Sequence, residues 1–113
     1  MAAICKGDVW LADMPEGVGH EQKGKRPVII VASVPEMKMA VVVPLTSNSN
    51  SLRFPFTLKI LPCNENGLYT ESVAMVFQMQ AIDCVRLLEK MGKMHEQEFD
   101  GVGDVIKALL FPF

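Results

Sequence analysis

The sequence predicts a mainly β domain with one C-terminal α-helix. Three observations carry this. Two valine- and isoleucine-rich runs, Pro27-Val-Ile-Ile-Val31 and Val41-Val-Val43, lie close together with only a short polar break between them. Such residues favour strands, and a run apolar throughout reads as a strand buried on both faces. Glycine, proline and Ser/Asn clusters punctuate the chain at short intervals. Only Glu96 to Leu110 places its apolar residues (Phe99, Val102, Ile106, Leu109 and Leu110) at helical spacing. Five or so short strands close most easily as a small barrel, with the helix covering an open side.

Taken in order, Asp8 to Asp13 alternates well enough for a first strand, Val9 and Leu11 on one face and Trp10 and Ala12 on the other. Met14 to Lys25 holds glycines and a proline and reads as a loop. It is long for a compact domain, and long loops are often functional. Arg26 to Ser33 is the next strand, Val34 to Lys38 a short connection, and Met39 to Thr46 a further strand. Ser47 to Ser51 is a polar turn. Phe54 to Leu61 is a strand that Pro55 pushes toward an edge or bulge. Pro62 to Gly67 is a turn. Ser72 to Asp83 reads as one long central strand, and Val85 to Met94 as either a strand or a helical turn. In the last helix, Gly101 and Gly103 each cost about 1 kcal/mol relative to alanine, so packing must hold it.

The chain has 113 residues, a length that predicts one domain over residues 1–113. Half of the residues are hydrophobic and 21% are charged, a globular balance. A formal charge of −2 excludes the broad basic face of a duplex-binding protein, so nucleic-acid contact would be local. The basic residues that could serve gather near one loop: His20, Lys23, Lys25 and Arg26. Cys5, Cys63 and Cys84 are odd in number, with no CxxC pair and no zinc-ligand spacing. Unpaired thiols point to a reducing compartment, here the cytoplasm. No apolar run approaches the ~20 residues of a membrane span. The eight methionines, Met37, Met39, Met75 and Met79 among them, read as core filler.

The chemistry-bearing residues cluster at two strand ends. Pro27 biases Arg26 toward an extended backbone, at the join of a polar loop and an apolar strand. A forked guanidinium there could stabilise charge developing on a phosphate, although by itself the residue also reads as an ordinary strand-edge arginine. Thr46 and Ser47 end the other strand and could donate to a phosphoryl oxygen, or simply form the turn. His20, Glu21 and Gln22 offer acid, base and hydrogen-bonding groups, or else a solvated loop. No His/Asp/Glu cluster suggests a catalytic metal, and no phosphate-binding glycine motif is present. No cofactor is expected.

In this order, several blocks resemble the MazF/PemK/Kid toxins of bacterial toxin–antitoxin systems. They are Lys6-Gly7-Asp8-Val9-Trp10, Gly19-His20-Glu21-Gln22, Arg26-Pro27, Pro44-Leu45-Thr46-Ser47, Ser72-Val73, Gln78 and Ala81-Ile82-Asp83. The resemblance covers nearly the whole chain. It implies a small SH3-like barrel of the CcdB/PemK type, a homodimer, and a cognate antitoxin whose disordered tail folds onto the barrel. It also implies a metal-independent endoribonuclease that cuts single-stranded RNA at a short sequence. In that chemistry the ribose 2′-hydroxyl attacks the adjacent phosphate, leaving a 2′,3′-cyclic phosphate and a 5′-hydroxyl. Carried over by motif, Arg26 would stabilise the phosphate, Thr46 would hold it, and His20 and Glu21 would line the site. Gln22, Lys23, Lys25, Ser47, Asn48 and Gln78 would contact RNA.

The chain departs from the family pattern around that glutamine. Phe77 stands where many relatives carry an acid, Gln80 where they carry a base, and Met75 replaces a Kid-like arginine. The general base would then be Glu21 or His20. The Val34–Lys38 connection is also shorter than usual. Two rival readings remain: a CcdB-like gyrase poison anchored through the Leu110-Phe-Pro-Phe113 tail, and a catalytically inactive antitoxin- or RNA-binding module.

Overall fold

The computed structural model describes residues 3–15 and 24–113. Seven strands and one helix follow in the order β1 (Asp8–Met14), β2 (Gly24–Val34), β3 (Met39–Thr46), β4 (Thr57–Ile60), β5 (Ser72–Met75), β6 (Gln80–Asp83), β7 (Leu87–Lys93) and α1 (Glu96–Leu110). Every pairing is antiparallel, along the path β4-β5-β3-β2-β1-β7, with β6 beside β3. The fold class is the expected one, a barrel-like sheet with a C-terminal helix.

Alternation explains why the central strands look uniformly apolar. Val9, Ile29, Val43 and Leu45 point into one core with Ile60, Val76 and Val102. Their neighbours Trp10, Val28, Ile30 and Val42 point into a second core with Ala40 and Ile82. Strands β1 to β3 are therefore covered on both faces, and β2 loses this character only toward its ends. Helix α1 seals the first core through Val102, with Phe99, Ile106 and Leu109 packed around it. His95 caps its start, Nδ1 accepting from Gln97 N at 3.3 Å. Glu96 and Glu98 in the first turn and Lys107 in the last suit the helix dipole.

Four sequence expectations need correction. The long loop is shorter at both ends, because Met14 pairs with Gly24 and Lys25 already lies in β2. The strand expected from Phe54 begins only at Thr57, and it does occupy a sheet edge. The expected central strand Ser72–Asp83 is two strands separated by a 3-10 turn at Val76–Gln78. Leu45 faces Ala74 and Val42 faces Gln80, so three steps along β3 correspond to six along this segment. The excess is thrown into the turn, where Phe77 packs on Phe54 with ring centroids 6.0 Å apart. Met37 is exposed rather than core, whereas Met75 is buried as expected. The ambiguous Val85–Met94 segment resolves as a 3-10 turn at Cys84–Arg86 followed by strand β7.

Two junctions hold the barrel-like sheet together. At the first, Gly7, with φ +92°, donates to Ile30 O at 2.8 Å and accepts from Met94 N at 2.8 Å. The next residue, Asp8, is wholly buried, and its Oδ2 accepts from Cys5 N at 2.9 Å and Trp10 Nε1 at 3.4 Å. Its Oδ1 makes no hydrogen bond but lies 3.5 Å from Lys90 Nζ. The Lys6–Trp10 block is thus scaffold. At the second junction, the β4–β5 connection presses on edge strand β7. Lys93 N donates to Glu65 O at 2.7 Å. A Cβ on Gly67 would fall on Met91 O and one on Gly92 on Glu65 O, so only glycine permits this approach.

Candidate active site

The β2–β3 ladder reaches Val28 opposite Pro44, and two residues further along each strand lie Arg26 and Thr46. Pro27 keeps Arg26 extended. Its Nη1 donates to Leu45 O at 3.4 Å, a long bond that steers the guanidinium toward the end of β3. Partial burial pushes the Arg26 pKa below the usual arginine value. The group starts so high that it stays cationic at neutral pH, and a half-desolvated cation is well placed to take an anion. Thr46 Oγ1 accepts from Asn48 N at 3.2 Å, which fixes the hydroxyl and leaves its proton to donate.

These residues share a cleft of about 370 Å³, within the usual range of ligand sites. Lys25, Arg26 and Pro27 line it from β2, Leu45 and Thr46 from β3 with Ser47 just beyond its end, and Leu68, Tyr69, Thr70 and Ser72 from the chain entering β5. Among these described residues are two cations, Lys25 and Arg26, and five hydroxyl-bearing side chains, those of Thr46, Ser47, Tyr69, Thr70 and Ser72, and no carboxylate. Its chemistry fits a phosphodiester held by cations and hydroxyl donors. A larger groove of about 780 Å³ lies along the Cys84–Leu88 segment, Ile4 and Trp10, but its lining is mostly apolar and carries no such anion site.

The sequence-derived site residues divide accordingly. Arg26, Thr46, Lys25 and Ser47 come together at the cleft. Asn48 does not line it; its Oδ1 accepts from Asn50 N at 3.1 Å and caps the 3-10 turn Ser49–Arg53. Gln78 ends the 3-10 turn before β6, half-buried, and is not among the residues lining the cleft. His20, Glu21, Gln22 and Lys23 lie outside the described residues. At the departures from the family pattern, Phe77 joins the Phe54 ring, Met75 is buried and Gln80 opens β6. Among the described residues no group of three or more His, Cys, Asp or Glu could hold a metal ion.

Sequence reasoning missed Leu68, Tyr69, Thr70 and Ser72, which form the facing wall. The signal was the Asn66-Gly67 pair, which marks a tight turn whose following residues are aimed by it. Apolar patterning alone does not say which way such a turn points.

Comparison with known proteins places the chain. Residues 5–110 match the family model of the PemK-like, MazF-like toxin of type II toxin–antitoxin system. Endoribonuclease EndoA of Bacillus subtilis is 28% identical over 110 residues, covering 95% of this chain and 94% of that protein. Endoribonuclease MazF of Staphylococcus saprophyticus is 30% identical over 108 residues, covering 93% and 89%. The crystal structure of Deinococcus radiodurans MazF superposes with TM-score 0.75 at 23% identity, over 97% of each chain. A mycobacterial endoribonuclease in complex with its cognate antitoxin gives TM-score 0.72 at 20% identity, over 98% of this chain and 99% of that one. None of these names speaks of gyrase, the rival reading. With both its sequence and its fold aligned along nearly their whole length, the chain belongs to the PemK-like, MazF-like toxins of type II toxin–antitoxin systems.

Proposed function

We propose that this toxin is an endoribonuclease that cuts single-stranded RNA in the cleft between Arg26 and Thr46. The observation that carries the reading is the convergence of Arg26, Lys25, Thr46 and Ser47 on one cleft. The relatives named EndoA and MazF, both endoribonucleases, support the reaction class.

In the mechanism, a phosphodiester enters the cleft with its non-bridging oxygens toward the Arg26 guanidinium. The adjacent ribose 2′-hydroxyl attacks phosphorus, and the bond to the departing 5′-oxygen breaks. Negative charge grows on the non-bridging oxygens as the five-coordinate phosphorus forms. Arg26 stabilises that charge through its forked donors, held in place by Leu45 O. Thr46 donates a hydrogen bond to a second oxygen, and Asn48 N keeps the hydroxyl oriented. The products are a 2′,3′-cyclic phosphate and a 5′-hydroxyl, so no water is consumed at this step. The attacking hydroxyl loses a proton to Glu21 or His20, and the leaving 5′-oxygen takes one from solvent, to which the base returns its own. Gln22, Lys23 and Gln78 complete the RNA contacts.

The toxin works as a homodimer in the cytoplasm, and a cognate antitoxin silences it. The family's membership of two-component toxin–antitoxin systems supports the antitoxin. The three free cysteines suit a reducing compartment, and among the described residues no helix is long and apolar enough to cross a membrane. Exposed Val85 and Leu88 along the apolar groove are the kind of surface that protein partners cover.

Mapping the product ends tests the reading. Incubation of a long single-stranded RNA in EDTA should yield cuts at one short motif, ending in cyclic phosphates and 5′-hydroxyls. Products ending in 5′-phosphates, or cleavage that EDTA abolishes, would refute the proposed chemistry.

A further inference from the structure

Tyr69 is 95% exposed, an unusual position for the only tyrosine of the chain. Exposure alone says little, since single apolar groups on a surface are ordinary. Its placement says more. Tyr69 lines the Arg26–Thr46 cleft and also a second, adjoining cleft of about 160 Å³, bounded by Leu11, Gly67, Glu89, Lys90 and Met91. Tyr69 therefore borders two hollows, one of which is the cationic site.

The segment that presents it is built to be rigid. Asn66 is wholly buried, its Oδ1 accepting from Cys63 N at 3.1 Å and Leu68 N at 3.0 Å, and its Nδ2 donating to Leu61 O at 2.9 Å. Gly67, at φ +69°, lies against Met91 O. Leu68 is anchored in the first core at 7% exposure. One residue later the chain has turned, and Tyr69 is thrown fully outward. A side chain with two torsions on a fixed backbone loses little entropy on binding.

We propose that Tyr69 is a base-stacking residue: its ring takes the nucleobase of a nucleotide next to the scissile phosphate as the strand leaves the cleft. This rests on the ribonuclease reading above. The cleft divides its chemistry as a nucleotide does. Lys25 and Arg26 on one wall meet the phosphate, and an aromatic face on the other meets the base. Single-stranded RNA is bound in this way, its unstacked bases laid on aromatic side chains. Stacking accepts every base, so Tyr69 positions the strand and leaves base identity to other contacts. It acts by contact with substrate and takes no part in proton transfer.

The test uses a fluorescently labelled single-stranded RNA bearing one mapped cut site, and copies with a single abasic position on either side of the cut. Wild type, Tyr69→Phe and Tyr69→Ala are compared. The alanine variant should lose about tenfold or more in kcat/KM, while phenylalanine stays close to wild type. One abasic position should cost the wild type a similar factor and cost Tyr69→Ala nothing further. Full kcat/KM in Tyr69→Ala, or equal abasic losses in both proteins, would overturn the inference. So would a variant that cuts normally and fails only to bind the antitoxin. Cleavage by wild type in the same assay separates these outcomes from failure of the ribonuclease reading. Absence of wild-type cleavage would overturn both. Because Tyr69 is exposed, thermal unfolding of the alanine variant should match wild type.

Discussion

Arg26 Nη1 donates to the carbonyl oxygen of Leu45 at 3.4 Å, joining a strand that opens at the polar loop to one that ends in Thr46. That bond crosses the β2–β3 pair at the mouth of the cleft. It aims a partly desolvated cation at the place where the Thr46 hydroxyl is already oriented. Charge complementarity to a phosphate is thus set by backbone register before substrate arrives.

Thr46→Val tests the hydroxyl separately from the strand. Valine keeps the branched outline and β preference, so the fold should survive. Loss of one donor to the phosphate should lower kcat by about tenfold to hundredfold, with a smaller change in KM. Single-turnover cleavage rates measure this, and an unchanged rate would remove Thr46 from the chemistry.

Asp8 anchors the first junction. Asp8→Ala removes an acceptor from Cys5 N and Trp10 Nε1 and leaves Lys90 without its buried partner. Lys90 is 40% exposed and can turn to water, so the cost falls mainly on the orphaned donors. Chemical denaturation should show a loss of about 1–3 kcal/mol.

Gly103 lies within α1 with nothing close to where a Cβ would sit, whereas one on Gly101 would meet Leu58 at 3.4 Å. Gly103→Ala should therefore stabilise the protein by about 1 kcal/mol without touching activity. Thermal unfolding checks it, and a lowered Tm would contradict the packing described for α1.

The Cys63 thiol donates to the Glu65 carboxylate and holds its pKa below the usual glutamate range. Glu65's own backbone N–H and, last, His95 act in the same direction. A depressed carboxylate favours the folded state above the unfolded glutamate pKa. That contribution disappears as the pH falls through the folded value, so it acts on the acid side only. Carbon-13 NMR should find Glu65 titrating at lower pH than an ordinary glutamate, and Cys63→Ala should move it upward.

Much of this architecture was legible in the sequence because it rests on periodicity. Met39–Thr46 and Glu96–Leu110 have the bounds expected from an apolar run and from helical spacing. Arg26 and Thr46 could be placed at strand ends because Pro27 and the Ser/Asn turn mark those ends. The broken segment Ser72–Asp83 was not legible. Val73-Ala-Met-Val-Phe is apolar throughout, and hydropathy does not register three residues looped out of a ladder. Nor was the far wall of the cleft. Tyr69 is aimed by Asn66 and Gly67 through contacts with β7, which are distant in sequence.

The most direct measurement compares wild type with Arg26→Ala on a long single-stranded RNA, with circular dichroism confirming that both are folded. Loss of the cation that faces the phosphate should cut kcat/KM by about a hundredfold to a thousandfold or more while the Tm stays near wild type. Wild-type cleavage by a folded Arg26→Ala protein would contradict the site.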